Sequence, residues 1–178
     1  MITLHIYMSL LTVDGCNNYT VLSEADRAQG HIMINGSNYT CDSYDLVPGW
    51  YRFQGAAGDR MADKCVPENH CGSGRPGWLS GAHPTIDEGV VTREVCFSSS
   101  SYCCDWYQNI RIRNCGAYFV YELPRPYLSC PARYCGNGIA GQFFRISLIT
   151  SNSYHLICSR FLLFLLIENN NIERYRTK

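Results

Sequence analysis

Ten of the eleven cysteines fall between Cys16 and Cys135, and the eleventh, Cys158, stands alone in a tail of different composition. An even set at that density belongs to chains oxidised pairwise outside the cell, because cytosolic thiols are kept reduced. The expectation is therefore an extracellular, secreted chain. Its ordered part spans 16–135, and its modest core is supplemented by bridges, each worth on the order of 3 kcal/mol.

Charge offers no partner. Fifteen basic residues balance fifteen acidic ones, and no lysine- or arginine-rich run occurs. A surface that tracks phosphates needs clustered positive charge, so nucleic acid is not expected as a ligand. Three N-glycosylation sequons, at Asn18, Asn35 and Asn38, lie close together near the first two cysteines and point to a sugar-coated edge.

The ends read differently. Residues 1–15 are mostly apolar but lack a basic start and a clear cleavage site, which suits an imperfect signal segment. The apolar run Phe161 to Ile167 would reach only about 10 Å as a helix, against about 30 Å of bilayer core, so no membrane span is expected. From 136 to 178 the chain has one cysteine, no proline and no core pattern. That stretch reads as an atypical tail, either disordered or an artefact of the gene model.

Local patterns favour short strands. Gly49-Trp50-Tyr51-Arg52-Phe53 is aromatic and follows Pro48. Asn109-Ile110-Arg111-Ile112-Arg113 alternates strictly, with isoleucines on one face and arginines on the other. After a turn at Asn114-Cys115-Gly116, Ala117 to Leu123 completes an antiparallel hairpin closed by Pro124 and Pro126. One helix is expected at Glu24 to Gln29, with Ser23 and Asp26 as a capping box and Gly30 as its stop. Gln54 to Arg60, Gly72 to Gly77 and Ser98 to Ser101 read as loops. The expected fold class is mostly β, at most a small α+β, disulfide-rich, with short antiparallel strands and hairpins joined by long loops.

Several strings between Gly49 and Cys135 carry a resemblance: Gly49-Trp50-Tyr51-Arg52-Phe53, Gly58-Asp59-Arg60-Met61, Cys65-Val66-Pro67-Glu68-Asn69-His70-Cys71, Trp78 to Pro84, Asp87 to Val91, Cys103-Cys104-Asp105-Trp106 and Ala117 to Tyr121. In this order and spacing they resemble the cysteine-rich domain of the uromodulin family, shared by pancreatic zymogen-granule glycoprotein two and the liver-specific zona-pellucida protein. Cys16 and Cys41 complete its ten-cysteine form. The resemblance implies a non-enzymatic recognition or adhesion module of a secreted or membrane-tethered glycoprotein, zona-pellucida-associated in its relatives, that presents glycans as a decoy for bacterial adhesins. It also implies the pairs Cys16–Cys115, Cys41–Cys130, Cys65–Cys103, Cys71–Cys135 and Cys96–Cys104, among hundreds of connectivities that ten cysteines allow. One departure stands out. Where relatives commonly hold an Asn-Gly-Thr/Ser sequon between the Trp and the His-Pro, this chain has Ser80-Gly81-Ala82.

Other chemistries compete with simpler readings. His83, Asp87 and Glu88 supply an imidazole and two carboxylates within a few residues, but no second constellation completes an active site or a calcium loop. His70 beside Cys71 lacks the CxxC spacing of a zinc site. No catalysis, cofactor or metal is expected. Trp50, Trp78 and Trp106, with thirteen tyrosines, are mainly core fillers in a module poor in aliphatics. The candidate ligand loop is Trp78, His83, Asp87 and Glu88, for an unidentified protein or glycan. The alternatives are a carbohydrate-binding module using Trp78 and Asp87, or a structural extracellular-matrix component.

Overall fold

A computed structural model of the chain describes residues 15–34 and 39–139. Residues 1–14, both Asn35 and Asn38, and everything from residue 140 onward, Cys158 included, lie outside the described residues.

The architecture is mostly β. Seven strands, β1 (Thr20–Leu22), β2 (Gly49–Phe53), β3 (Arg75–Leu79), β4 (Val90–Phe97), β5 (Trp106–Asn114), β6 (Phe119–Leu123) and β7 (Ala132–Tyr134), form one sheet in the order β1-β2-β6-β5-β4-β3-β7. The two outermost pairings, β1 with β2 and β3 with β7, are parallel, and the four inner ones are antiparallel. Helix is confined to α1 (Asp42–Asp45) and the 3-10 turns Ala25–Arg27 and Gly55–Ala57 among the described residues.

The aromatic string Gly49–Phe53 is β2, and the alternating run around Ile110 is the centre of β5, the fourth of seven strands. Ile110 and Ile112 are buried and Arg111 is exposed, as period-two patterning demands. β5 and β6 form the expected antiparallel hairpin, with Ile112 opposite Tyr121. β6 begins only at Phe119, because Cys115 N–H bonds the Tyr118 carbonyl at 2.8 Å and holds the preceding residues in the turn.

Two local expectations are corrected. The helix from Glu24 to Gln29 shrinks to one 3-10 turn, and its N-cap is Glu24 with no side-chain cap bond. Asp26 is drawn instead to Arg133, 3.0 Å away, so tertiary ion pairing overrides the capping pattern. The stretch Gly72 to Gly77 is only half loop, since β3 starts at Arg75 and takes its neighbours from β4 and β7.

One sheet face carries the core. Tyr51, Phe53, Leu79, Val95, Phe97, Ile110, Ile112, Tyr121, Leu123 and Tyr134 pack together there. Burying each large side chain is worth roughly 1.5–3 kcal/mol. The sheet curls on itself across this core. Tyr134 of the edge strand β7 donates its hydroxyl to the Pro124 carbonyl beyond β6 at 2.9 Å and receives a bond from Gln108 Nε2 of β5. The free margins also meet, as Gly136 N–H bonds Arg27 O and Gln29 N–H bonds Gly136 O.

Five disulfides tie the loops to this sheet: Cys16–Cys115, Cys41–Cys130, Cys65–Cys103, Cys71–Cys135 and Cys96–Cys104. They are the pairs the family resemblance implied. The neighbours Cys103 and Cys104 are tied to different partners, which pins the β4–β5 connection from two sides.

Candidate recognition surfaces

The four residues expected to form a ligand loop are not brought to one place. Trp78 lies on the outer sheet face, opposite Cys96, packed against Ala62, Val66, Cys71 and Cys135. Its indole N–H bonds Ser98 Oγ at 3.1 Å and the Cys103 carbonyl at 2.9 Å. That ring is half-buried and its polar atom is engaged.

His83 turns the other way. Its ring lies 4.5 Å from the Phe119 ring, its Nε2 is 2.8 Å from Tyr121 Oη, and its Nδ1 is 3.6 Å from the Asp63 carboxylate. Tyr121 Oη already accepts the Met61 N–H at 2.9 Å, so the phenol donates to a neutral imidazole. Burial pushes the His83 pKa down from 6.5 to about 4, with Asp63 opposing and Arg60 reinforcing the shift. The same burial pushes the Tyr121 phenol up, which keeps it a donor.

Only Asp87 and Glu88 remain at the surface, in the exposed tip between β3 and β4. Glu88 accepts the Thr85 N–H at 2.7 Å and pairs with Arg93 at 2.7 Å, and these contacts lower its carboxyl pKa. The tip is thus knitted to itself. Its root is held by His83 and by Asn114 Nδ2, which donates to Pro84 O at 2.9 Å. A potential metal cluster of Glu94, Cys96 and Cys104 is lost to chemistry, because its two sulfurs are bonded to each other.

Asn18 is exposed, in the bend between Cys16 and β1, and Thr20 of its sequon is exposed as well. A second accessible surface was not anticipated as a site. The outer side chains of β5, Tyr107, Asn109 and Arg111, are all exposed although β5 is the central strand. The signal was present in the strict alternation of the Asn109 to Arg113 run, but the pattern does not say whether anything covers the polar face.

The family model of the uromodulin-like cysteine-rich domain matches residues 51–136. Residues 51–136 form a uromodulin-like domain. Rat uromodulin is 41% identical over 127 residues, which is 71% of this chain and 19% of the relative. The pancreatic secretory granule membrane major glycoprotein GP2 of the dog is 41% identical over 123 residues, 68% of this chain and 23% of that protein. Mouse uromodulin is 39% identical over 127 residues, with the same 71% and 19% shares. The chain therefore spans about a fifth of the length of the curated relatives it matches. The matched uromodulin-like stretch contains eight cysteines, yet only three of the bridges close within it. Cys115 and Cys130 reach out of that stretch to Cys16 and Cys41. Five bridges in one uromodulin-like unit fit an extracellular placement. Among the described residues no helix is long and apolar enough to cross a membrane.

Proposed function

We propose that this chain is a secreted, non-enzymatic recognition module that carries N-glycans on a rigid disulfide-bonded scaffold and offers them, decoy-fashion, to carbohydrate-binding partners such as bacterial adhesins. The recognition unit runs from Cys16 to Cys135. The observation that carries the reading is the position of Asn18, exposed two residues after Cys16, whose bridge to Cys115 fixes that edge to the β5–β6 turn. The relative named as a major glycoprotein of the secretory granule membrane supports the same route and modification.

Display from the β3–β4 loop is not available to this chain, because Ser80-Gly81-Ala82 offers no acceptor asparagine. A glycan at Asn18 puts the presented sugar at the N-terminal margin instead, and the sequons at Asn35 and Asn38 offer further acceptors. The engagement of His83 with Tyr121, and of Glu88 with Thr85 and Arg93, argues against hydrolytic use of that loop.

The test is secretion of the full chain from mammalian cells, followed by binding to a mannose-specific bacterial adhesin before and after peptide N-glycosidase. Binding that disappears on deglycosylation, and weakens in an Asn18→Gln variant, is expected. A secreted protein without N-glycans, or binding untouched by deglycosylation, overturns the reading.

A further inference from the structure

We propose that the outer stripe of β5 is itself a binding site for a neutral oligosaccharide. The inference rests on the recognition reading above but concerns a different surface, formed by protein atoms rather than by attached sugar.

Among the described residues the stripe is a bare strip between two covered flanks. On the β2 side, the backbone of Gly15 lies on the Trp50 ring so closely that a Cβ there would sit 2.4 Å from Trp50 Cδ2, and Gly15 adopts φ +80°. Arg52 is sandwiched next to it, 3.9 Å from the Tyr118 ring centroid and 3.0 Å from Tyr19 Oη. The Cys16–Cys115 bridge holds this flank in place. On the β3 side, Trp78 is covered by Ala62 and Val66, and the Cys65–Cys103 bridge locks that cover. Between the flanks, Tyr107, Asn109 and Arg111 stand exposed, spanning about 13 Å along the strand at about 3.3 Å per residue.

The strip has polar groups. A shallow, open hollow of about 490 Å³ covers the Asn109–Arg111 part of the strip, lined by Pro48, Gly49, Thr92, Asn109, Arg111 and Glu122, among others, with Tyr107 beside it rather than in it. Thr92 lies opposite Arg111 and Glu122 lies on its other side, so hydroxyl, guanidinium and carboxylate form one row. Asn109 and Glu94 face each other in the next row.

Charge chooses the ligand class. Arg111 is ion-paired to Glu122 through Nε, so its charge is neutralised locally. Glu94, opposite Asn109, adds a carboxylate beside the strip, which repels sulfated or sialylated chains. A neutral sugar suits what remains. Its hydroxyls both donate and accept, matching an amide, a threonine hydroxyl and the free atoms of an ion pair. Its C–H face suits the exposed Tyr107 ring, whose flat apolar surface costs little entropy to present.

The test uses saturation-transfer NMR on the secreted full chain with mannotriose, triacetylchitotriose and cellotriose as neutral probes and a heparin-derived tetrasaccharide as the anionic one. At least one neutral probe is expected to bind saturably at millimolar concentration. Asn109→Ala and Tyr107→Ala should each weaken it about tenfold or more, whereas Tyr44→Ala, on an exposed residue outside the strip and outside the lining of its hollow, should not. All three side chains are exposed, so loss of fold does not confuse the result. No binding by any neutral probe, binding indifferent to Asn109 and Tyr107, or preference for the anionic probe overturns the assignment. Adhesin capture through attached glycans is read separately, so either idea can fail while the other stands.

Discussion

Arg27 and Asp42 form a two-pronged ion pair in the interior. Arg27 Nη1 lies 2.7 Å from Asp42 Oδ2 and Nη2 lies 3.0 Å from Oδ1, with both residues under 5% exposed. Asp42 Oδ2 also accepts the Tyr134 N–H at 2.9 Å, and Arg27 Nη1 reaches the Tyr134 carbonyl at 3.0 Å. The pair joins the segment after β1, helix α1 and strand β7, which are far apart in sequence.

Breaking that pair should be costly because it strands a buried charge. Asp42→Ala is expected to lower stability by about 3–5 kcal/mol and to depress secretion, while Arg27→Met with Asp42→Leu should recover a large part. Thermal unfolding of the secreted variants checks this; a single variant as stable as wild type would contradict it.

His83 makes stability depend on pH in a defined direction. Its folded pKa, about 4, is below the ordinary 6.5, so the folded state prefers the neutral ring. Its full contribution is present above pH 6.5, is lost as pH falls from 6.5 toward 4, and does not change further below that. Protonation also turns Nε2 from an acceptor of the Tyr121 hydroxyl into a competing donor. Between about pH 7.5 and about pH 4.5 the loss should be roughly 2 kcal/mol, allowing for partial screening. Urea midpoints at the two pH values should differ less in His83→Gln than in wild type.

The eight-cysteine stretch should not fold cleanly alone. A chain shortened to begin at Tyr51 leaves Cys115 and Cys130 without Cys16 and Cys41. It is expected to show two free thiols or disulfide-linked dimers by mass spectrometry, and poor secretion. Restoring residues from Gly15 onward should remove both signs.

Bridges should differ in worth with the loop they close. Replacing both Cys71 and Cys135 by Ser opens a link with sequence separation 64, against 8 for Cys96 and Cys104. The chain-entropy relation gives about 4 kcal/mol for the first and about 2.5 kcal/mol for the second. Denaturant unfolding of the two double variants should rank them in that order.

Close backbone approach singles out Gly136. A Cβ there would meet the Ala57 carbonyl oxygen at 2.0 Å, and that oxygen belongs to a backbone that cannot rotate away. Gly136→Ala is expected to cost more than about 3 kcal/mol or to block secretion, in line with severe overpacking. Comparable secretion and melting temperature would show that the segments can separate.

The strands β2, β5 and β6 were legible because each is specified by its own neighbours: aromatic clustering at Trp50 to Phe53, alternation at Ile110 and Ile112, and a turn before Phe119. β1, β3 and β7 were not. They are short, and Arg75–Leu79 contains both Pro76 and Gly77, residues that weaken a strand signal; it becomes a strand only because β4 and β7 flank it.

The candidate site divides in the same way. Asp87 and Glu88 at an exposed tip could be read from polarity and from Gly89, but the inward turn of His83 could not. Its partner Tyr121 is 38 residues away, and the imidazole's fate depends on the space left between Phe119 and Tyr121.

Taken alone, the order of residues determined the β character and the kinship of the bridged unit, and pointed to an oxidising compartment, because cysteine number, side-chain alternation and motif spacing are local or countable properties. Only the folded chain decided that Arg27, Asp42 and Arg133 are buried in ion pairs, that Trp78 is half-covered and that, among the described residues, nothing lies over the outer side chains of β5. Each of those outcomes depends on which distant segment comes to lie over a given face, and contacts across dozens of residues are set by packing and bridge geometry rather than by local pattern.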